Sequence, residues 1–189
     1  QTCALPIYSS GTYVDHAGIN WCASWSGANG NNFTITNTGS VVLKEANLQY
    51  AGVEFYNPNQ IDTTGFDTLH VDVWTPNANQ FGIQLVSTTP TTQAGQVDIL
   101  PASGIITSNG WVGLDIPLTQ FTTANPGTLL NNLEQLLWID NQAGGGVTGG
   151  TFYIDNVYFY SNSVVATPII TASVSNGSIS LSFPTQNGS

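Results

Sequence analysis

The chain has 189 residues, 41% of them hydrophobic, and sets 11 acidic side chains against a single basic one, Lys44, for a net charge of -10. That balance excludes nucleic acid, whose phosphates are bound by Lys and Arg displacing counterions. It also disfavours anionic membrane surfaces and anionic polysaccharides. Charged residues make up only 6%, so the polar surface is built from Asn, Thr, Ser, Gln and Gly, as on extracellular β proteins. No apolar run of about 18 residues predicts a membrane span, and no basic start followed by an apolar stretch marks a signal peptide.

From the N-terminus, the first feature is the pair Cys3 and Cys22. In a secreted chain they read as one disulfide pinning this segment, with no neighbouring Cys or His at zinc spacing. Trp21 and Trp25 flank Cys22 in a Gly/Ser/Asn-rich stretch. Trp25 reads either as a ligand contact or as a lid over the end of the fold. Short runs with period-two alternation or β-branched and aromatic enrichment follow, predicting strands at 33–36, 41–50, 68–75, 81–87, 96–100, 111–116, 133–139 and 151–160. Gly, Asn, Thr and Pro punctuate the chain between them. Almost nothing reads as helix, although Leu129, Leu130, Leu133, Leu136 and Leu137 fit a helical turn running into a strand. The glycine run 144–150 reads as a flexible loop between two strands that pair with each other. Residues 161–168 read as a linker, and 169–174 and 178–183 as a hairpin around Asn176-Gly177.

The fold class is therefore all-β: an antiparallel sandwich, or jelly roll, over residues 1–163. Residues 164–189 form a linker and hairpin, which resembles the opening strands of a fibronectin-type-III-like module, or an assembly tail.

Strand 68–75 carries the most chemistry. Leu69, Val71 and Val73 point to the core, which leaves His70, Asp72 and Trp74 in a row on the outer face. An aromatic face that stacks on a sugar ring, beside polar groups for its hydroxyls, is the mixture a carbohydrate site uses. Cross-strand packing under a loop is the alternative. Gln84 and Gln135 point outward on their strands and are expected to flank the same face. Tyr56, before Asn57-Pro58 at a strand end, is a further ligand candidate, and Trp111 reads as core or edge packing. Asp155 has Tyr153, Val157 and Phe159 on its side of the strand by simple alternation. A carboxylate there needs a partner: backbone N–H groups, Asn or Thr side chains, or a structural calcium ion.

No catalytic constellation stands out. His16 and His70 lie in no nucleophilic triad motif, and Gly-x-Ser-x-Gly and His-Glu-x-x-His are absent. Glu45, Glu54 and Glu134 do not single out a glycoside-cleaving pair. Asn32, Asn176 and Asn187 begin N-glycosylation sequons, which count only in a eukaryotic host.

Four segments carry a family resemblance: Tyr50-Ala51-Gly52-Val53-Glu54-Phe55, Leu69-His70-Val71-Asp72-Val73-Trp74-Thr75-Pro76, Leu114-Asp115-Ile116-Pro117-Leu118 and Tyr153-Ile154-Asp155-Asn156-Val157-Tyr158-Phe159-Tyr160. In order and spacing the chain resembles, over residues 5–161, the jelly-roll accessory domain of secreted bacterial polysaccharide hydrolases of the laminarinase and agarase type. The resemblance implies a secreted multimodular parent and a non-catalytic polysaccharide-binding role. The Tyr-Ile-Asp-Asn-Val ending is similar to that of other jelly-roll carbohydrate-binding modules, where the matching Asp often helps bind structural calcium. The cysteine pair, the Trp21/Trp25 loop and the scarcity of Lys and Arg depart from that pattern. The rival expectation is a structural or adhesive module of a cell-surface protein or filament, self-associating through exposed strand edges or docking neighbouring modules.

Overall fold

The computed structural model describes residues 4–9, 16–21, 23–27, 32–35, 39–107, 109–140, 149–161, 171–175 and 178–182. Cys3, Cys22, the glycine run up to 148, the linker beyond Ser161 and the Asn176-Gly177 turn lie outside the described residues.

The described residues form twelve strands. They are β1 (Ala4–Tyr8), β2 (Asn32–Ile35), β3 (Val41–Glu45), β4 (Tyr50–Glu54), β5 (Thr68–Trp74), β6 (Phe81–Ser87), β7 (Gln93–Ile99), β8 (Trp111–Pro117), β9 (Gln135–Ile139), β10 (Phe152–Tyr160), β11 (Thr171–Ser175) and β12 (Ser178–Ser182). One sheet has six strands in the order β2-β3-β10-β5-β8, with β1 also paired to β10. The second has four, β4-β9-β6-β7. All pairings are antiparallel, and the result is a jelly-roll β-sandwich. The last two strands form their own hairpin, Ser175 opposite Ser178.

Period-two alternation builds the core. Leu69, Val71 and Val73 of β5, Phe81, Ile83 and Leu85 of β6, Leu136 and Trp138 of β9, and Ile154, Val157 and Phe159 of β10 are all buried in one cluster. Each such side chain contributes roughly 1.5–3 kcal/mol of transfer free energy. The alternating partners of these residues form the outer faces of the two sheets.

Four expectations are corrected. The run 41–50 is not one strand: β3 belongs to the six-stranded sheet and β4 to the four-stranded one. The chain crosses between them through Asn47, held at φ 50, a left-handed conformation Asn tolerates. Strands β9 and β10, flanking the glycine run, do not pair but lie in different sheets. Residues 129–137 form turns and strand, and the α-helix is instead α1, Leu118–Ala124. Leu118 and Phe121, one turn apart, bury its inner side, and it packs on β7, where Gly95 admits the backbone of Phe121: a Cβ there would lie 2.2 Å from the Phe121 carbonyl oxygen.

The fourth correction concerns β10. Its register against β5 slips between Asp155 and Tyr158, with Asn156 at φ 50. Such a bulge inserts one residue and inverts the alternation beyond it. Tyr153 therefore lies outward with Tyr158 and Tyr160, while Val157 and Phe159 go to the core. The first strand, β1, was not foreseen. Pro6 weakens its signal, and Pro is tolerated there because, among the described strands, β1 pairs with β10 alone.

Candidate functional site

The outer face of the four-stranded sheet is organised in rungs. Register places Tyr50, Ile139, Gly82 and Asp98 in one, Gly52, Leu137, Gln84 and Gln96 in the next, and Glu54, Gln135, Val86 and Ala94 in the third. Four strands at the usual spacing make each rung about 14 Å long. Aromatic rings gather at the β4 end and polar side chains toward β7.

Residues 20, 21 and 23–27 run beside β4. Asn20 and Glu54 exchange backbone hydrogen bonds of 2.9 Å, Ala23 N–H donates to the Gly52 carbonyl at 3.2 Å, and Gly27 N–H to the Tyr50 carbonyl at 2.8 Å. This edging lays the Trp25 indole on Gly52, where a Cβ would sit 2.0 Å from the ring carbon Cη2. Only glycine leaves room for that approach. The indole stacks with Tyr50, centroids 6.3 Å apart and planes 20° apart.

Glu54 fixes the arrangement. Its Oε1 accepts the Trp25 indole N–H at 2.6 Å and the Tyr56 hydroxyl at 3.3 Å, and its Oε2 accepts Asn20 Nδ2 at 2.8 Å. Gln135 Nε2 donates to the Tyr56 hydroxyl oxygen. Burial, and the nearby carboxylates of Glu54 and Glu134, push the Tyr56 phenol up against the opposing effect of Gln135. Trp25, Tyr50 and Tyr56 nevertheless stay 38–43% exposed, so their rings are presented to solvent in fixed poses.

Toward the far edge, Gln84 Nε2 donates to Gln96 Oε1 at 3.3 Å, and Gln96 Nε2 to Asp98 Oδ1 at 2.7 Å. Gln96 and Asp98 also line an open cavity of about 420 Å³ that Thr119, Gln120 and Thr123 of α1 complete. The face thus runs from a ring-lined end to a hydroxyl- and amide-lined end.

The row foreseen on β5 lies on the opposite side of the molecule. His70 sits between two carboxylates, its Nδ1 2.6 Å from Asp115 Oδ1 and its Nε2 3.3 Å from Asp72 Oδ1. Its ring stacks on Tyr158 at 4.7 Å. Burial works to lower the imidazole pKa, but the hydrogen bonds and charges of Asp72 and Asp115 outweigh it and hold His70 above its ordinary value. Asp72 is likewise burdened by burial, yet His70 and Asn156, whose Nδ2 donates at 2.7 Å, bring it below the usual carboxylate range. Trp74 meets Tyr153 edge-on at 5.1 Å.

The predicted set therefore divides. Trp25, Tyr56, Gln84 and Gln135 share the face of the four-stranded sheet, whereas His70, Asp72 and Trp74 share that of the six-stranded sheet. The expectation that Gln84 and Gln135 flank the β5 row is corrected: both point outward, but from the other sheet. Trp21 packs edge-on against Tyr8 at 5.4 Å and belongs to the core side. Tyr50, Gly52, Gln96 and Asp98 were not foreseen as site residues. The Glu54-Phe55-Tyr56 order, which puts the carboxylate and phenol two residues apart, was the one available signal.

Asp155 is buried and accepts the Asn156 backbone N–H at 2.8 Å, one of the non-metal partners considered for it. Among the described residues no group of three or more His, Cys, Asp or Glu side chains is arranged to hold a metal ion. Calcium takes six to eight oxygens, so at Asp155 it would draw mainly on carbonyl and amide groups. Glu134 is buried and accepts the Thr88 backbone N–H at 2.6 Å together with the hydroxyls of Thr88 and Thr89.

No protein-family model matches the chain, and no curated protein matches it. Solved structures do. A family 30 carbohydrate-binding module of a cellulosomal cellulase of Clostridium thermocellum aligns at TM-score 0.63 and 14% identity, over 86% of this chain and 99% of that one. A family 29 carbohydrate-binding module aligns at TM-score 0.53 and 10% identity, over 88% and 99%. Another of that family, complexed with mannohexaose, aligns at TM-score 0.52 and 10% identity, over 85% and 93%. At these identities the likeness is one of fold.

Proposed function

We propose that this chain is a secreted, non-catalytic module that binds a neutral polysaccharide across the outer face of its four-stranded sheet. The observation that carries this reading is the Trp25 indole seated against Gly52, stacked with Tyr50 and held there by Glu54. A pre-set aromatic surface stacks on the apolar face of a pyranose ring without first losing rotamer freedom. Gln135, Gln84, Gln96 and Asp98 then supply donors and acceptors along the rungs for the hydroxyls of successive sugars. The net charge of -10 argues for an uncharged ligand.

The non-catalytic part rests on how the carboxylates are used. Glu54 and Glu134 accept several hydrogen bonds each, so both serve as anchors for rings and loops. Secretion rests on the uncharged, Asn/Thr/Ser-rich composition. The fold of carbohydrate-binding modules, one of them described as complexed with mannohexaose and another with cellulohexaose, adds support at the level of architecture.

Affinity electrophoresis tests the reading. Gels cast with neutral β-glucan, galactan or mannan are expected to retard the native protein, and Trp25→Ala to migrate as in a blank gel. Absence of retardation across such a panel, or retardation untouched by Trp25→Ala, contradicts it.

A second reading, an adhesive building block, is favoured by one observation: β11 and β12 form a separate two-stranded sheet, which leaves strand edges to pair with another chain. Oligomers that vanish when residues 164–189 are deleted would favour it.

A further inference from the structure

We propose a second glycan-binding platform on the outer face of the six-stranded sheet, on the opposite side of the sandwich, so that one chain holds two polysaccharide strands. The ligand class rests on the reading above, but the two sites share no residue.

Register sets three rings in one rung: Trp111 of β8 faces Trp74 of β5, which faces Tyr153 of β10. They span about 10 Å, and Trp111, on the edge strand, is 49% exposed. An exposed indole alone is ordinary. What lies beside this one is not. The next outward residue of β8 is Gly113, opposite Asp72. A Cβ at Gly113 would lie 3.2 Å from Asp72 Oδ1 and 3.4 Å from His70 Cε1. The glycine thus leaves a notch floored by a carboxylate and an imidazole. Asp115, exposed and opposite His70, borders the notch on its far side.

A sugar ring stacked on Trp111 places its hydroxyls over acceptors already oriented. His70 holds Asp72 and Asp115, and Asn156 holds the other oxygen of Asp72. Pre-oriented acceptors spare much of the ordering cost of binding. Two carboxylates bordering the notch select hydroxyl donors over anions. The single lysine sits away from the notch, 6.0 Å from the Tyr153 ring centre. Two platforms on opposite sides turn simple binding into cross-linking of chains.

Isothermal titration of the full chain with cellohexaose and with mannohexaose tests the proposal, with light scattering to follow the oligomeric state. The expected result is two oligosaccharides per monomer. Trp25→Ala should leave one site and Trp111→Ala should leave the other, each lost site weakened roughly tenfold or more. Asp115→Asn, on an exposed side chain, should weaken only the Trp111 site, which keeps the test decisive if a tryptophan variant misfolds. One site abolished by Trp25→Ala and indifferent to Trp111→Ala and Asp115→Asn would overturn this proposal and leave the proposed function standing. One site sensitive only to Trp111→Ala and Asp115→Asn would overturn the assignment to the four-stranded sheet instead. No binding, or a dimer that Trp111→Ala dissolves, would overturn the second platform.

Discussion

Glu45 supplies the sharpest test of the fold's energetics. It ends β3 with its side chain fully buried, and neither carboxylate oxygen has a hydrogen-bond partner among the described residues. The only lysine is its neighbour, but strand alternation sends Lys44 to the outer face, near Tyr153. Desolvation therefore acts unopposed and raises the Glu45 pKa from 4.5 to about 8. The sign follows from linkage. The folded state keeps the proton while the unfolded chain releases it above pH 4.5, so stability is lost as pH rises from 4.5 toward 8. At pH 7 the gap is 2.5 pH units, worth about 3 kcal/mol. Glu45→Gln keeps the shape of the neutral acid and cannot ionise. Its gain over wild type is expected near zero at pH 4.5 and about 3 kcal/mol at pH 7, or roughly 10 °C in Tm for a domain of this size. Urea melts of both proteins at pH 4.5, 5.5, 6.5 and 7.5 measure it. A stability gap that does not widen with pH would refute the reasoning and mean that the carboxylate is charged and satisfied.

Three further outcomes follow from particular contacts. Gly52→Val drives the Trp25 indole off β4, because even a Cβ would sit 2.0 Å from the ring; glycan affinity should fall about tenfold or more with red-shifted tryptophan emission, and unchanged affinity would disprove the role given to Gly52. His70→Gln should cost about 1 kcal/mol near pH 5, discounted for the exposure of Asp115, in melts compared with wild type. Because His70 is raised and Asp72 lowered, that cost should persist while Asp72 is ionised and His70 protonated. It should fade as pH climbs through the raised imidazole pKa, and a cost that instead grows with pH contradicts the clamp. Chelation by EDTA should leave Tm unchanged, since Asp155 already has a backbone donor; a drop of several degrees reversed by calcium would place an ion there.

Much of the architecture was legible because alternation is strong where the core is deep. On β5 and β6 the buried series Leu69/Val71/Val73 and Phe81/Ile83/Leu85 mark both the strands and their inner faces. Legibility fails where one local event breaks the period. Asn47 divides one apparent strand between two sheets, and the bulge at Asp155–Asn156 inverts the parity of β10. Helix α1 has only seven residues and no side-chain cap, too little periodicity to announce itself. The site was half legible for a related reason. Alternation tells which residues point out from a strand, so Gln84 and Gln135 were correctly outward, but it does not tell which sheet the strand joins. Gly52 was hidden for the opposite reason: its contribution is the absence of a side chain beneath Trp25, which no residue pattern reveals.

On the proposed reading, sugar rings stack on the Trp25 and Tyr50 pair. The chain has five tryptophans, each with an indole N–H visible in a proton–nitrogen correlation spectrum, and titration with cellohexaose or mannohexaose reads them separately. The Trp25 signal is expected to shift on saturation, while that of Trp138, sealed in the core, stays in place. A saturable titration that leaves the Trp25 signal unmoved would contradict it.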